Sequence, residues 1–361
     1  MSSICSVTRL PARSARFVLL GCAMGLLLTL VGSVAGATPA SAAVKYTITD
    51  LGSLGFGVSR GFAMNANAQA TGGSYLSKTI KIANCPYLGQ TCSEHPEHAF
   101  LASSGSISNL GTLGGLDSEG RATNASGTVV GWSDTSGGNI EAFEKPVGRK
   151  IVDLGAIGPL AGEESQATGI DRSGDVVGWW GFNPGAHAFL LSGGKVTDLP
   201  NLSSFDGGSS RAASINDNLQ VAGASYAADG NVHAVEWQNG RISDLGTLGG
   251  PQSDAVGING AGQVIGWAQT SSDATDGFLF GNGKMADLGS FLPTAINDAG
   301  VMVGGASIDS GGTIQNLNDL VPAGSGYQLN DATAINDNGQ ILVNAYDTAT
   351  NQDHALLLTP A

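Results

Sequence analysis

Histidine is the residue type whose recurrence in this sequence first suggests chemistry, because an imidazole can bind a metal ion or move a proton near neutral pH. Four of the five histidines, His98, His187, His233 and His354, are each followed by alanine. A catalytic histidine is usually unique, whereas these four recur in one sequence context. We interpret them as structural residues that hydrogen-bond to a turn or to a nearby aspartate.

Other motifs give no firmer sign of catalysis. No serine stands out with a partnering base and acid, and adjacent carboxylates such as Glu163 and Glu164 would face opposite sides of a strand. The stretch 171–175 resembles part of a calcium loop but lacks the alternating carboxylates and the distal glutamate. The sequence therefore predicts no catalytic residue, no metal site and no cofactor.

The tryptophans suggest binding. Trp132, Trp179, Trp180 and Trp267 each lie just after a recurring glycine, and Trp237 stands elsewhere. Tryptophans in repeated positions commonly pack between structural units. Trp179 and Trp180 are consecutive, so on a strand they face opposite sides and one of them is expected to be accessible. Trp179 and Trp180 are therefore the candidate ligand-binding residues, for a sugar or a peptide.

The N-terminus predicts secretion. Arg9, Arg13 and Arg16 precede an apolar run over 17–34 and the segment Ala40-Ser41-Ala42, the order of a cleaved signal peptide over residues 1–42. An uncleaved membrane-spanning helix is the alternative. Cleavage would change the net charge from −14 to −17, which argues against nucleic-acid partners. We expect a secreted or envelope protein with no membrane insertion after cleavage.

Two cysteines, Cys85 and Cys92, remain after cleavage. In an oxidising compartment we expect them to form a disulfide within an insertion at about 76–96. A zinc site that also uses His95 and His98 is the weaker alternative.

The sequence repeats itself about seven times. One phrase, typified by 257–266, places an Asn or Asp at spacings of 59, 47, 45, 43, 38 and 39 residues; the positions are Asn65, Asn124, Asp171, Asn216, Asn259, Asn297 and Asn336. A second phrase is Asp-Leu-Gly or a relative of it. A third, between them, is His-Ala-Phe or a relative, as at 98–100 and 187–189.

These three phrases, in fixed order, resemble the HAF-repeat family of extracellular repeat proteins, and the resemblance covers essentially all of residues 43–361. The segment 317–326 also looks like the family's usual penultimate stretch. The sixth copy departs from the pattern because it lacks the His-Ala-Phe phrase. The resemblance implies an extracellular location and no particular activity, because the family is defined by its repeat.

Each copy contains four short β-branched or aromatic runs bounded by Gly, Asn or Asp, which predicts four strands. Radial repetition of such a unit predicts an all-β fold, a β-propeller of about seven four-stranded blades forming one domain over 43–361. The last copy lacks a fourth strand and 45–51 supplies one, so the N-terminal strand should close the ring. Six blades, if the sixth copy has eroded, and an open β-solenoid are the alternatives.

From these features we expect a secreted, non-catalytic protein that binds an extracellular glycan or protein, or acts as a scaffold. A propeller-based hydrolase or lyase acting on an extracellular polymer is the alternative. It would place repeat-breaking polar residues in the central funnel.

Overall fold

The computed structural model describes residues 45–82, 92–155, 161–182, 185–203 and 208–361. Seven four-stranded antiparallel sheets follow one another around a ring, so the chain forms a seven-bladed β-propeller. The described part of the chain contains one short 3-10 helix, Leu317–Asp319, and no helix in it is long and apolar enough to cross a membrane.

Each blade uses consecutive strands except where the chain closes. The strands in chain order are β1 (Tyr46–Asp50), β2 (Gly55–Met64), β3 (Ala70–Leu76), β4 (Ile80–Ile82), β5 (Cys92–Glu94), β6 (Glu97–Ser103), β7 (Ser106–Gly111), β8 (Gly114–Thr123), β9 (Val129–Thr135), β10 (Ile140–Lys145), β11 (Val152–Asp153), β12 (Ser165–Ile170), β13 (Val176–Trp180), β14 (His187–Ser192), β15 (Lys195–Asp198), β16 (Ser210–Ile215), β17 (Val221–Tyr226), β18 (Val232–Gln238), β19 (Arg241–Gly246), β20 (Gly249–Ile258), β21 (Val264–Thr270), β22 (Thr275–Gly281), β23 (Lys284–Asp287), β24 (Ala295–Ile296), β25 (Met302–Gly304), β26 (Ser307–Ser310), β27 (Thr313–Asn316), β28 (Tyr327–Ile335), β29 (Ile341–Asp347) and β30 (Gln352–Pro360).

The blades, each written from inner to outer strand, are β2-β3-β6-β7, β8 to β11, β12 to β15, β16 to β19, β20 to β23, β24 to β27, and β28-β29-β30-β1. The hairpin β4–β5 lies between the second and third strands of blade 1. Blade 6 has the shortest strands but keeps all four, so the six-blade alternative is wrong.

Strand β1 closes the ring. It pairs antiparallel with β30, in a register that runs from Tyr46 opposite Pro360 to Asp50 opposite Leu356. Tyr46 and Leu51 become buried. The predicted closure by the N-terminal strand is confirmed, and the open solenoid is excluded.

The third strands hold the core between blades. Within the His-Ala-Phe phrases the alanine and the phenylalanine are inaccessible to solvent, as for Ala99 and Phe100 or Ala188 and Phe189. Val235 and Leu356, which replace the phenylalanine in two blades, are equally buried. Side chains alternate along a strand, so the histidine and the phenylalanine, two positions apart, share one face and the alanine lies on the other.

The glycine that recurs on the second strands of blades 1 to 6, where blade 7 has Val343, has a steric cause. At Gly131, Gly178 and Gly266 a side-chain Cβ would collide with the carbonyl oxygen of the facing first-strand residue. The carbonyls belong to Glu119, Gln166 and Asp254 respectively. Such close approach of two backbones admits only glycine, so the glycine of this phrase is fixed by packing.

Each first strand except that of blade 6 carries a β-bulge shortly before the Asn or Asp of the repeat. In blade 5, for example, the register shifts between Ala255 and Gly257, leaving Val256 as the extra residue. The extra residues in the six blades are Phe62, Arg121, Thr168, Ala213, Val256 and Thr333. Bulges commonly re-aim a side chain near functional sites.

The repeated asparagines join neighbouring blades at the face that carries the turns between first and second strands, here called the Asn-turn face. Within its own turn Asn259 Oδ1 accepts the N–H groups of Ala261 and Gln263 at 3.1 and 2.9 Å. Its Nδ2 donates across the blade boundary to the carbonyl of Asn297 at 3.0 Å. One buried amide therefore stabilises a turn and a blade interface together.

This blade-to-blade relay runs around the ring with one break. Asn65, Asn124, Asn216, Asn297 and Asn336 repeat the donation, each to the next blade, and Asn336 returns to the carbonyl of Asn65. The break is at Asp171, which accepts the Asp175 N–H at 2.8 Å but has no amide to donate to blade 4. Asp171 is buried, and burial raises the pKa of its carboxyl above the ordinary value.

Removal of β1 should open the ring. We expect a chain beginning at Ser53 to lose about 3 to 5 kcal/mol of unfolding free energy, because Tyr46 and Leu51 lose their burial and β30 gains a free edge. Calorimetric melting measures this, and a synthetic peptide spanning 43–53 should restore stability where a scrambled peptide does not. If the shortened chain melts like the intact one, β1 does not hold the ring closed.

Asp171→Asn should complete the relay and raise the unfolding free energy by about 1 kcal/mol. Because burial raises the folded-state pKa of Asp171, the charged carboxylate destabilises the fold, so the gain should grow as pH rises through that pKa. Denaturant titration at several pH values measures it. The reciprocal variant Asn216→Asp should lose stability with the same pH trend, and equal stability of both variants to wild type would contradict this role of the relay.

Candidate functional site

The inner strands line a central channel. A cavity of about 780 Å³ lies within it, and its wall receives residues from the first strand, or the segment before it, of all seven blades. Ser209, Tyr226 and Val232 lie at its mouth, on the face opposite the Asn-turn face. Its volume falls within the range of about 300–1,000 Å³ typical of ligand pockets.

Two rings of side chains face the channel. The deep ring comprises the residues three positions before the repeated Asn or Asp, which are the six bulge residues and Thr294; all seven line the cavity. The outer ring lies five positions before it and comprises Arg60, Glu119, Gln166, Arg211, Asp254, Leu292 and Asp331. Of these, Gln166, Arg211, Asp254 and Leu292, from blades 3 to 6, line the cavity.

Three residues of the deep ring form hydrogen bonds between neighbouring blades. The hydroxyls of Thr168, Thr294 and Thr333 donate to the carbonyls of the next blade, at 2.9 Å for Thr168. The hydroxyls of these threonines therefore hold neighbouring blades together and are not available to a ligand. The outer-ring side chains that line the cavity all belong to blades 3 to 6.

The consecutive tryptophans separate as a strand requires. Trp179 lines the cavity, with Trp267 from blade 5. Trp180 faces the other side of β13, where its indole donates to Asp198 at 3.0 Å and its ring stacks on His187. Trp237 is buried and donates to the Pro200 carbonyl. Of the two candidate ligand-binding residues, the structure brings only Trp179 to the channel.

Two arginines lie over aromatic rings in the cavity wall. The guanidinium carbon of Arg211 is 4.8 Å from the ring centroid of Trp179, and that of Arg121 is 4.8 Å from that of Phe62. Such cation–π contacts hold an arginine in a fixed orientation. Arg121 is also bound to Glu119 at 2.6 Å.

The wall on blades 5 and 6 is apolar and open to the cavity. Val256 and Leu292 line it and are 37% and 46% exposed, values that mark them as uncovered rather than core residues. Pro293 and Ala255 continue the same wall. Exposed apolar side chains grouped in a concave site indicate ligand contact.

An ionic network fills the wall between blades 1 and 2. The Glu97 carboxyl lies over Gly73. The equivalent position on the second strands of blades 2, 3 and 5 carries a tryptophan: Trp132, Trp179 and Trp267. Burial and the neighbouring Glu119 raise the pKa of Glu97 to about 7. Burial also raises the pKa of Glu119, against the lowering effect of Arg121.

Asp254, an acidic residue of the outer ring, resembles Glu97 in the pKa of its carboxyl. Burial raises its pKa to about 7, although the charge of Arg211 acts in the opposite direction. Its strand register places it opposite Trp267. At neutral pH the Asp254 carboxyl is therefore a weak counter-ion for Arg211.

The four sequence-predicted histidines lie on different blades. The Nδ1 atoms of His98, His233 and His354 lie 3.0, 2.8 and 2.7 Å from Asn109, Asp244 and Asp50 of the adjacent outer strands. These partners are the acidic or amide residues of the Asp-Leu-Gly phrase. None of the four histidines lines the cavity.

Blades 2 and 3 vary this contact. His187 stacks on Trp180 at a centroid distance of 4.7 Å. The indole N–H of Trp180, in place of the histidine, donates a hydrogen bond to the Asp198 carboxylate. In blade 2, Glu141 replaces the histidine, and burial together with the hydrogen-bonded Asp153 raises its pKa. The position thus accommodates glutamate as well as histidine.

Residues 57–61 have the Gly-x-Ser-x-Gly spacing of a nucleophile motif. Ser59 is fully buried, and its Oγ accepts the N–H of Ala355 in the neighbouring blade at 3.1 Å. Ser118, Ser165, Ser210 and Ser253 do the same for their neighbours. The serine therefore joins blades and is not exposed to a substrate.

The predicted Cys85–Cys92 disulfide lies outside the described residues, because Cys85 and the side chain of Cys92 are not among them; it stays a prediction. In the described part of the chain, no group of three or more His, Cys, Asp or Glu side chains could hold a metal ion.

Comparison with known proteins locates one family and distant structural neighbours. Residues 245–357 match the model of a protein family of unknown function, DUF3466. No curated protein matches the chain.

Two solved structures share 10% identity with it. The crystal structure of TolB from Acinetobacter baumannii has a TM-score of 0.39 over 73% of this chain and 60% of that one. A triple arginine-to-alanine mutant of AofleA from Arthrobotrys oligospora has a TM-score of 0.34 over 61% and 76%. This chain thus spans 60% of the TolB chain.

The raised pKa values of Glu97 and Asp254 predict a pH-dependent stability. Between the ordinary carboxyl pKa and about 7 the folded state holds more protons than the unfolded one, so the unfolding free energy should fall as pH rises through this window. Because each unit of pKa shift corresponds to about 1.4 kcal/mol, we expect a loss on the order of several kcal/mol between pH 4.5 and pH 8.

Denaturant titrations should show that Glu97→Gln and Asp254→Asn each flatten this profile. Asp273→Asn, in an exposed turn, is the control and should keep the wild-type profile. A profile that rises with pH across this window would contradict the burial of these two carboxyls.

Proposed function

We propose that this chain is a secreted, non-catalytic binding protein that takes part of an extracellular protein or glycan into the mouth of its central channel. The observation that carries the proposal is the cavity wall on blades 3 to 6. There Trp179 and Arg211 line the cavity, and Val256 and Leu292 are apolar side chains exposed to it.

The chemistry of this wall supports binding rather than a structural role alone. A packed propeller needs no exposed valine and leucine in its channel, and the other six blades all carry a polar or charged residue at the ring position of Leu292. An aromatic ring, a guanidinium and apolar side chains within one concave site provide stacking, charge pairing and desolvation together. A purely structural surface component would need none of these.

The secreted location rests on the sequence. The signal-peptide pattern of residues 1–42 and the resemblance to the HAF-repeat family both support it. The fold is compatible, because the ring is closed by segments that begin at Tyr46, after the predicted cleavage position.

A hydrolase or lyase is the second candidate, and Glu97 is the observation that favours it. A buried carboxyl with a pKa of about 7 has the property of a general acid. However, its neighbour Glu119 is already bound by Arg121 and by the indole of Trp132. The other described carboxylate beside it, Asp117, accepts the backbone N–H of Glu97 at 2.9 Å. Both neighbouring carboxylates are thus engaged, so binding is the better account.

A glycan array and a pull-down from extracellular protein, both with the mature protein 43–361, test the proposal. We expect a ligand whose binding falls at least tenfold in Val256→Asp, because a carboxylate would enter the apolar wall. Val152→Asp is the matched control: Val152 is 44% exposed on the outer strand β11, away from the channel.

Equal loss of binding in both variants, or in neither, would contradict a channel site. Degradation of a polymer by wild type but not by Glu97→Gln would favour the enzyme instead.

A further inference from the structure

Arg211 differs from the other arginines of the channel. Arg60 lies 3.5 Å from Asp353, and Arg121 lies 2.6 Å from Glu119. Among the described residues, no carboxylate lies within ion-pair distance of Arg211, whose guanidinium is exposed and rests on Trp179. Its five N–H donors are therefore available to an anion.

The orientation of Arg211 is fixed before any ligand arrives. The guanidinium carbon lies 4.8 Å from the centroid of the Trp179 ring. This contact restricts the side chain, so less of its freedom is lost when an anion binds. A planar guanidinium with parallel N–H groups matches a carboxylate in a two-bond arrangement that lysine cannot provide. The site thus suits a carboxylate better than a diffuse negative charge.

An apolar surface lies beyond Asp254, the residue that follows Arg211 around the outer ring. Asp254 and Val256 belong to blade 5, and Leu292 belongs to the segment that leads into blade 6. Leu292 occupies the same ring position as Arg211, two blades further on, and Val256 lies one ring deeper. A ligand that reaches Arg211 can therefore place an apolar group against Val256 and Leu292.

The ring limits how a ligand enters. Residues from all seven blades surround the cavity, so access is along the channel axis. A chain end needs one strand of backbone in the channel, whereas an internal loop needs two. A terminal residue also brings a carboxylate and a side chain together, as the wall requires.

We propose, resting on the channel as the binding site, that its ligand is the carboxyl terminus of a protein chain with an apolar last residue. Arg211 binds the terminal carboxylate, and Val256, Leu292 and Pro293 pack against the last side chain. Capture of a terminal carboxylate is a general mode of peptide recognition. Trp267, opposite Asp254 in register, completes the wall.

The test uses immobilised mature protein 43–361 and fluorescein-labelled decapeptides that are randomised in their last three positions. One library has free carboxyl ends and the other has amidated ends. We expect free-acid peptides ending in Leu, Ile, Val or Phe to be retained at least tenfold over the same sequences as amides, because only they offer Arg211 a carboxylate.

Variants assign the contacts. Arg211→Gln should lower the affinity of retained peptides at least tenfold, and Arg211→Lys should restore part of it. Leu292→Ser should broaden the preference at the last position while keeping the preference for free acids. Arg241→Gln, on the outer strand β19, is the control and should bind like wild type; melting curves verify that each variant is folded.

The outcomes separate this inference from the proposed function. Retention of amidated peptides as well as free acids, with no effect of Arg211→Gln, would overturn the terminal carboxylate while leaving channel binding in place. Binding of uronate oligosaccharides but of no peptide would overturn it in favour of a glycan. Absence of any ligand sensitive to Val256→Asp would overturn the proposed function itself.

Discussion

The propeller depends on one repeated interaction, the donation of a buried side-chain amide to a backbone carbonyl of the next blade. A buried amide without a partner costs more free energy than its hydrogen bond contributes, so each asparagine holds its neighbour in place. In the same residue the amide oxygen fixes the turn, as Asn259 does through Ala261 and Gln263. Turn geometry and blade spacing are thereby coupled, and serines such as Ser118 and Ser253 provide the equivalent link nearer the opposite face.

Because the inner wall is held at both ends, the residues between these links can vary. The bulge on each first strand directs one extra side chain to the channel, and the residue two positions earlier joins it. Neither position contributes to the relay, so blade 1 carries Phe62 where blade 5 carries Val256. The two sides of the channel wall therefore differ in chemistry. Glu119 and Arg121 form an ion pair with each other on one side, whereas Arg211 and Leu292 on the other side line the cavity.

The architecture could be predicted from the sequence because its determinants are local and repeated. Spacing of the Asn phrase gave seven copies, and the unpaired strand at 46–50 indicated closure. The site could not be predicted in the same way. A bulge shifts which side chains face inward without altering the residue pattern, and the pairing of Arg211 with Trp179 depends on contact between blades. Aligning the copies on the asparagine would have shown that two positions vary in charge and size while, in blades 1 to 5, their neighbours remain Ser, Ala or Gly.

The closing strand also fixes how the ring would be displayed on a surface. Strand β1 begins and β30 ends at the same edge of blade 7, where the Ala361 N–H donates to the Lys45 carbonyl at 2.9 Å. This edge is at the Asn-turn face, since Pro360 lies against the turn residue Gly339. A tether joined to either terminus would leave from that face. The mouth formed by Ser209 and Tyr226 would then point away from the attachment, toward whatever approaches from outside.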